Sequence, residues 1–153
     1  MATRERGGAE PLDASGVDHL VGFLLAIATA QTRQVYLQSV GTPFDLRTVE
    51  FTLLMLLLKN RGASPKRLAQ TLNMPAPNVT VLIDRLVGRG LVERRRSSTD
   101  GRALQVLLTA DGEALARKAH AESLSMEEPL LRRLSPGERV LLRELLLKLG
   151  TAA

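Results

Sequence analysis

The chain has 153 residues, 44% of them hydrophobic, a formal net charge of +5 and no cysteine. That is enough apolar chain for one domain with a buried core, and the missing thiols exclude disulfides, thiolate-held metals and thiol-based redox sensing. The apolar runs at residues 21–30 and 53–58 fall short of the roughly 20 residues that a membrane helix needs; no apolar leader precedes them, so no membrane association and a cytoplasmic location are expected.

Residues 1–15 carry Gly, Ala and charge without apolar period and are expected to form a flexible N-terminal arm. A first helix follows from Gly16. Leu20, Phe23, Leu24 and Ile27 recur at helical spacing, Val17, Val21, Leu25 and Ala28 widen the stripe, and Gly41 and Pro43 end it. A helix apolar over this much of its surface is either central or shared between subunits. The second helix starts between Asp45 and Thr48 and ends by Asn60-Arg61-Gly62. Phe51, Leu54, Met55 and Leu58 form its stripe, and Leu53, Leu56 and Leu57 fill most of the remainder, as in a buried brace.

Ser64 and Pro65 then open a third helix, serine as the cap and proline at the position where its missing N–H costs nothing. Leu68, Ala69 and Leu72 form its apolar edge, and Asn73-Met74-Pro75 makes a turn, because proline disfavours the helical conformation in the residue before it. A fourth helix begins near Pro77 with Val79, Leu82, Ile83 and Leu86 as a single inward stripe, and Gly90 ends it. Its other face holds Pro77, Thr80, Val81, Asp84 and Gly88, flanked by Asn78 and Arg85. This short-chained face suits base edges: Asn78 can bond adenine or a phosphate, Thr80 either partner, and Val81 can pack on a thymine methyl. A merely solvated face is the plain alternative.

Two strands follow, from Leu91 to Arg95 and from Arg102 to Leu108, with Leu104, Val106 and Leu108 alternating, around the turn-rich residues 97–101. Arg94, Arg95, Arg96 and Arg102 flank a hairpin too short to bury them, which suits a phosphate backbone or a narrow minor groove. Pairing with Glu93 and Asp100 accounts for only two of the four. Between Arg61 and Arg102 nine Lys or Arg stand against three Asp or Glu, a net of +6, so the chain's +5 leaves −1 for all other residues. The whole excess lies in one region, as a polyanionic partner requires.

Thr109 caps a fifth helix carrying Leu115, Ala119, Glu122 and Met126, which Pro129 is expected to kink or end. Ser135-Pro136-Gly137-Glu138 is a capping box opening a sixth helix. Leu142, Leu145, Leu146 and Leu149 form its stripe, with Leu141 and Leu147 outside it, more apolar surface than a small monomer exposes. The first, fifth and sixth helices are therefore expected to build a two-fold dimer interface. Nothing points to an enzyme or to a cofactor. The two histidines, His19 and His120, lie far apart with no cysteine or acid at metal-ligand spacing, and no nucleophile elbow, P-loop or dinucleotide fingerprint is present.

The order helix, helix, Gly90-Leu91-Val92, Arg94, Asp100-Gly101-Arg102 and Leu108-Thr109-Ala110-Asp111-Gly112 resembles the winged helix-turn-helix of the MarR family of bacterial transcription regulators, and the likeness runs from about Val17 to Leu149. It implies a mainly α fold with a small β-hairpin wing: a DNA-binding winged helix-turn-helix at 44–109, set between an N-terminal dimerisation helix at 16–43 and C-terminal dimerisation helices at 110–153. Asp100 and Arg102 match the family's wing signature, the arginine reaching the minor groove and the aspartate orienting neighbouring arginines. Residues 78–86 resemble the recognition helix but depart at Val81, where many members carry arginine, so an apolar thymine contact replaces one to guanine. The expected DNA contacts are Ser64, Lys66, Pro77, Asn78, Thr80, Val81, Arg85, Arg94, Arg95, Arg96, Asp100 and Arg102. The resemblance further implies a homodimeric repressor on a pseudo-palindromic double-stranded operator. A small aromatic or phenolic ligand would release it from a pocket near the first, second and fifth helices, with His19 and Tyr36 as polar candidates. The rival reading is a winged-helix protein-interaction module that does not bind DNA; the concentrated positive charge favours DNA.

Overall fold

The computed structural model describes residues 12–96 and 104–150. Helix α1 (Val21–Tyr36) widens into one π-helical turn, Leu37–Gly41, and is followed by α2 (Thr48–Lys59), α3 (Pro65–Thr71) and α4 (Ala76–Gly88). The hairpin β1 (Val92–Arg96) and β2 (Leu104–Leu108) leads into α5 (Ala110–Ser123), a short α6 (Glu128–Leu131) and α7 (Pro136–Gly150). The fold is mainly helical with a two-stranded wing, as the sequence leads one to expect.

Two boundaries differ from expectation. The first helix does not begin at Gly16: residues 15–19 form turns in which Ala14 O accepts the Val17 and Asp18 N–H groups at 2.9 and 3.0 Å, and regular helix starts only after Leu20. Pro129 neither kinks nor ends α5, which has already stopped at Ser123. It sits instead in the first turn of α6, where a missing N–H is tolerated. The capping box before α7 is formed, with Ser135 N–H donating to Glu138 Oε2 at 2.7 Å and Glu138 N–H to Ser135 Oγ at 3.4 Å. These bonds hold the Glu138 carboxyl below its usual range.

The core gathers around α2. Leu53, Leu54 and Leu57 are buried against Val79, Leu82, Ile83 and Leu86 of α4, Leu68 of α3, Val92 and Val106 of the hairpin, and Ala116 and Ala119 of α5. Fully burying side chains of this size stabilises by about 1.5–3 kcal/mol each. β1 and β2 pair antiparallel from Val92↔Leu108 to Arg96↔Leu104. Ala63, just before α3, extends the pairing by exchanging both backbone hydrogen bonds with Val106, at 3.1 and 2.9 Å. This clamps the helix-turn-helix to the base of the wing. Burial falls along β2 from the fully enclosed Val106 to Leu104, 41% exposed where the strand leaves the lobe.

The wing joins α5 through Thr109. Its N–H donates to Leu91 O at 3.1 Å, its hydroxyl donates to Gly90 O at 2.6 Å, and the same oxygen accepts Gly112 N–H at 3.0 Å as the helix cap. Gly90 holds φ +69°, which glycine adopts without strain. Outside this lobe the packing changes character: α7 buries none of its residues, and Val21, Leu24 and Ile27 of α1 are half exposed.

Gly112 packs its α-carbon face against the backbone of Leu91, so a methyl group there would collide with the Leu91 carbonyl. Gly112→Ala is expected to destabilise the protein by roughly 1–3 kcal/mol, the range for overpacking a tight site, read as a lowered midpoint in urea unfolding. An unchanged midpoint would mean that α5 does not seat on the wing base in this way.

Candidate nucleic-acid interface

The helix-turn-helix is built by short-range bonds. Ser64 Oγ accepts Arg67 N–H at 3.3 Å to start α3, Asn73 turns the chain at φ +48°, and Pro75 and Pro77 pre-set the first turn of α4. All four stripe residues of α4 are buried. Pro77, Asn78, Thr80 and Val81 lie exposed on the other side, Val81 at 68%. The Thr80 hydroxyl donates back to Ala76 O at 3.1 Å, which orients its remaining lone pairs outward. Lys66 stands exposed on α3, and Ser64 is half-buried as its cap.

The wing arginines divide into tethered and untethered groups. Arg94 reaches across to Asp84 of α4 at 2.6 Å, and Arg95 pairs with Glu93 at 2.6 Å. Arg96 makes no ion pair among the described residues, nor do Lys66 and Arg67 on α3. Asp100 and Arg102, the wing signature, lie outside the described residues, as do the other residues at the tip.

Glu50 is the residue that sequence reasoning passed over. Its side chain is the sole buried charged one among the described residues, at 0% exposure. As the third residue of α2 it reaches back so that Oε2 accepts Arg47 N–H at 2.8 Å, half of a capping box. On the other side Oε1 lies 2.8 Å from Arg85 Nε, and Arg89 Nη1 stands 3.7 Å from Oε2. No donor is aligned on Oε1 as a hydrogen bond, so the Arg85 contact is one of charge proximity. Arg89 is further held by the carbonyl of Asp45 at 2.7 Å, which a φ of +49° at Asp45 turns toward it. Arg85, an expected DNA contact, thus directs its guanidinium at α2. A lone acid in the first turn of an otherwise apolar helix was the available signal.

Tyr36 and His19 part company. Tyr36 is buried at the end of α1, its ring tilted against Phe51 with centroids 5.8 Å apart and its hydroxyl donating to Leu46 O at 3.0 Å. One edge of it lines an open hollow of about 430 Å³ shared with Thr29, Thr32, Arg33, Phe51 and Met126. The hollow lies between α1, α2 and the segment just past α5. His19 is exposed in the turn before α1 and is not among the lining residues.

A model of the MarR family matches residues 44–103. An HTH-type transcriptional repressor of Mycobacterium tuberculosis is 30% identical over 134 residues, 88% of this chain and 96% of that protein. The chain belongs to the MarR family. Among solved structures, the transcriptional repressor CouR bound to a 23-mer DNA duplex matches with a TM-score of 0.83 and 29% identity over 93% of this chain and 100% of CouR. Bordetella bronchiseptica BpsR, whose structure concerns regulation of DNA binding by 6-hydroxynicotinic acid, matches with a TM-score of 0.79 and 25% identity over 94% of this chain and 100% of BpsR. A MarR-family chain is a winged-helix transcription regulator and not an enzyme.

In this MarR-family protein burial, with the nearby Glu50 charge, pushes the Tyr36 hydroxyl up to about 12 from 10.0. The raised value favours the neutral phenol in the fold. Its contribution to stability is complete below pH 10 and is lost as pH rises toward about 12, because the unfolded tyrosine ionises first. Tyr36→Phe should cost about 1 kcal/mol for the lost hydrogen bond at neutral pH and flatten the stability decline above pH 10, measured by urea unfolding at several pH values. An equal alkaline decline in both proteins would refute the assignment.

Proposed function

We propose that the protein is a homodimeric repressor of transcription that binds a pseudo-palindromic operator, α4 in the major groove and the wing on the flank, and is released by a small aromatic or phenolic anion. The observation that carries this reading is the division of α4 between a wholly buried apolar stripe and an exposed face of Pro77, Asn78, Thr80 and Val81, with Lys66 and Arg96 exposed on the same lobe and making no ion pair among the described residues. Asn78 and Thr80 supply polar contacts and Val81 an apolar one, while Ser64 and Lys66 at the start of α3 and Arg94, Arg95, Arg96 and Arg102 of the wing meet phosphates or the minor groove. Asp100 orients the wing arginines. The likeness to CouR on a DNA duplex supports the same placement.

The dimer is supported by the apolar side chains left outside the lobe. On α7, Leu142, Leu145 and Leu146 are 41–47% exposed, and Leu24 and Ile27 of α1 are similar. A second copy is the natural cover for such a surface in a regulator whose operator has two-fold symmetry, because two recognition helices about 34 Å apart enter successive major grooves. The effector site is the hollow beside Tyr36. Arg33 supplies a cation for the ligand there, with the Glu127 carboxylate in the same lining, and Tyr36 and Phe51 supply aromatic faces.

Duplexes from the region flanking the protein's own gene test the reading. An inverted repeat among them should bind tightly, and a protein indifferent to every duplex at low salt would instead be a protein-interaction module. Arg96→Ala and Arg102→Ala should each weaken binding across sequences and lower the slope of log affinity against log salt by about 1; an unchanged slope removes the wing from the interface. Leu142→Glu with Leu145→Glu should give a monomer by light scattering, with operator affinity reduced at least about tenfold because the two half-sites are no longer engaged together.

A further inference from the structure

The buried carboxylate between α2 and α4 has a use that the DNA contacts do not absorb. Arg85 and Arg89 stand one helical turn apart on the same edge of α4, and both reach the single carboxylate of Glu50, at 2.8 and 3.7 Å. The buried stripe fixes which side of α4 faces inward and Arg94 ties α4 to the hairpin through Asp84, but the apolar contact between α4 and α2 is itself non-directional. Charged groups of fixed reach supply the missing direction. Glu50 is itself anchored, since its Oε2 accepts the Arg47 N–H at 2.8 Å, and Arg89 is anchored again on Asp45 O at 2.7 Å.

We propose that Glu50 is a positioning residue for operator recognition: through Arg85 and Arg89 it sets the angle at which α4 presents Asn78, Thr80 and Val81 to the bases. This rests on the DNA-binding reading above. Arg85 then works through α2 instead of meeting a phosphate. Base contacts need α4 at one angle, whereas phosphate contacts from the wing tolerate several. Loosening the clamp therefore lowers affinity for the operator while leaving affinity for unrelated DNA nearly unchanged.

The test compares wild type, Glu50→Gln, Arg85→Met and the double variant by fluorescence anisotropy, on the inverted-repeat duplex and on a scrambled duplex of equal length, across a salt series. Each single variant should bind the operator about tenfold more weakly and the scrambled duplex within about twofold of wild type. The double variant should be no more than about twofold worse than the weaker single, because both remove one interaction. The salt slope should stay at the wild-type value in all three.

Operator binding by Glu50→Gln at wild-type strength overturns the proposal. So does a slope lowered by about 1 in Arg85→Met with losses that multiply in the double variant, the behaviour of a direct phosphate contact. If Glu50→Gln does not fold, as judged by its circular dichroism melt, Arg85→Met decides alone. A selective operator loss at unchanged slope supports the clamp, and a uniform loss at lowered slope refutes it. Wild-type protein that ignores every duplex overturns the functional reading and this inference together; wild-type binding matched by both variants overturns this inference only.

Discussion

A carboxylate taken fully out of water is the constraint around which the DNA-binding lobe is arranged. The desolvation of Glu50 costs several kcal/mol, and such a group is sustained only where cations and N–H donors converge on it. Here they come from three places in the sequence: the start of α2, the last turn of α4 and the residue that caps it. The same turn that supplies Arg47 N–H also supplies Asp45 O to Arg89 and Leu46 O to Tyr36. Brace, α4 and the end of α1 are therefore joined by a few residues whose polar groups face one another.

The molecule has two kinds of surface with opposite chemistry. In the lobe most leucine and valine side chains are enclosed, Val81 and Leu104 being exceptions, and the outward face carries short side chains and exposed cations. In α1 and α7 leucine stays about half exposed, left uncovered by the other described residues. Both patterns fit the regulator proposed above, one region for a polyanion and another for apolar association.

Features that depend on neighbours in sequence were legible in it. The α4 stripe, the Ser64 and Thr109 caps, the Ser135 capping box and the left-handed Gly90 follow from local spacing and backbone preference, and each stands where the residues indicate. What depends on distant partners was not legible. Glu50 meets Arg85 from another helix, and Arg94 pairs with Asp84 of α4 whereas sequence proximity suggested Glu93 or Asp100. The start of α1 lies later than the spacing indicates, because apolar residues recur through Val17 and Leu20 while the backbone over 15–19 runs in separate turns. Pro129 was weighed as a helix breaker, although the same missing N–H makes proline acceptable as a helix opener.

The bond from Arg94 to Asp84 and the hydroxyl bridge from Thr109 to Gly90 have a consequence for how a binding sequence can vary. Together they fasten hairpin and α4 into one piece, so in the proposed complex the stretch of duplex spanned by a single lobe is fixed in base pairs. In the proposed dimer, tolerance for inserted or deleted base pairs then arises between the two lobes, through the exposed helices. Lengthening the centre of a palindrome and lengthening its outer arms are thereby felt by different parts of the chain.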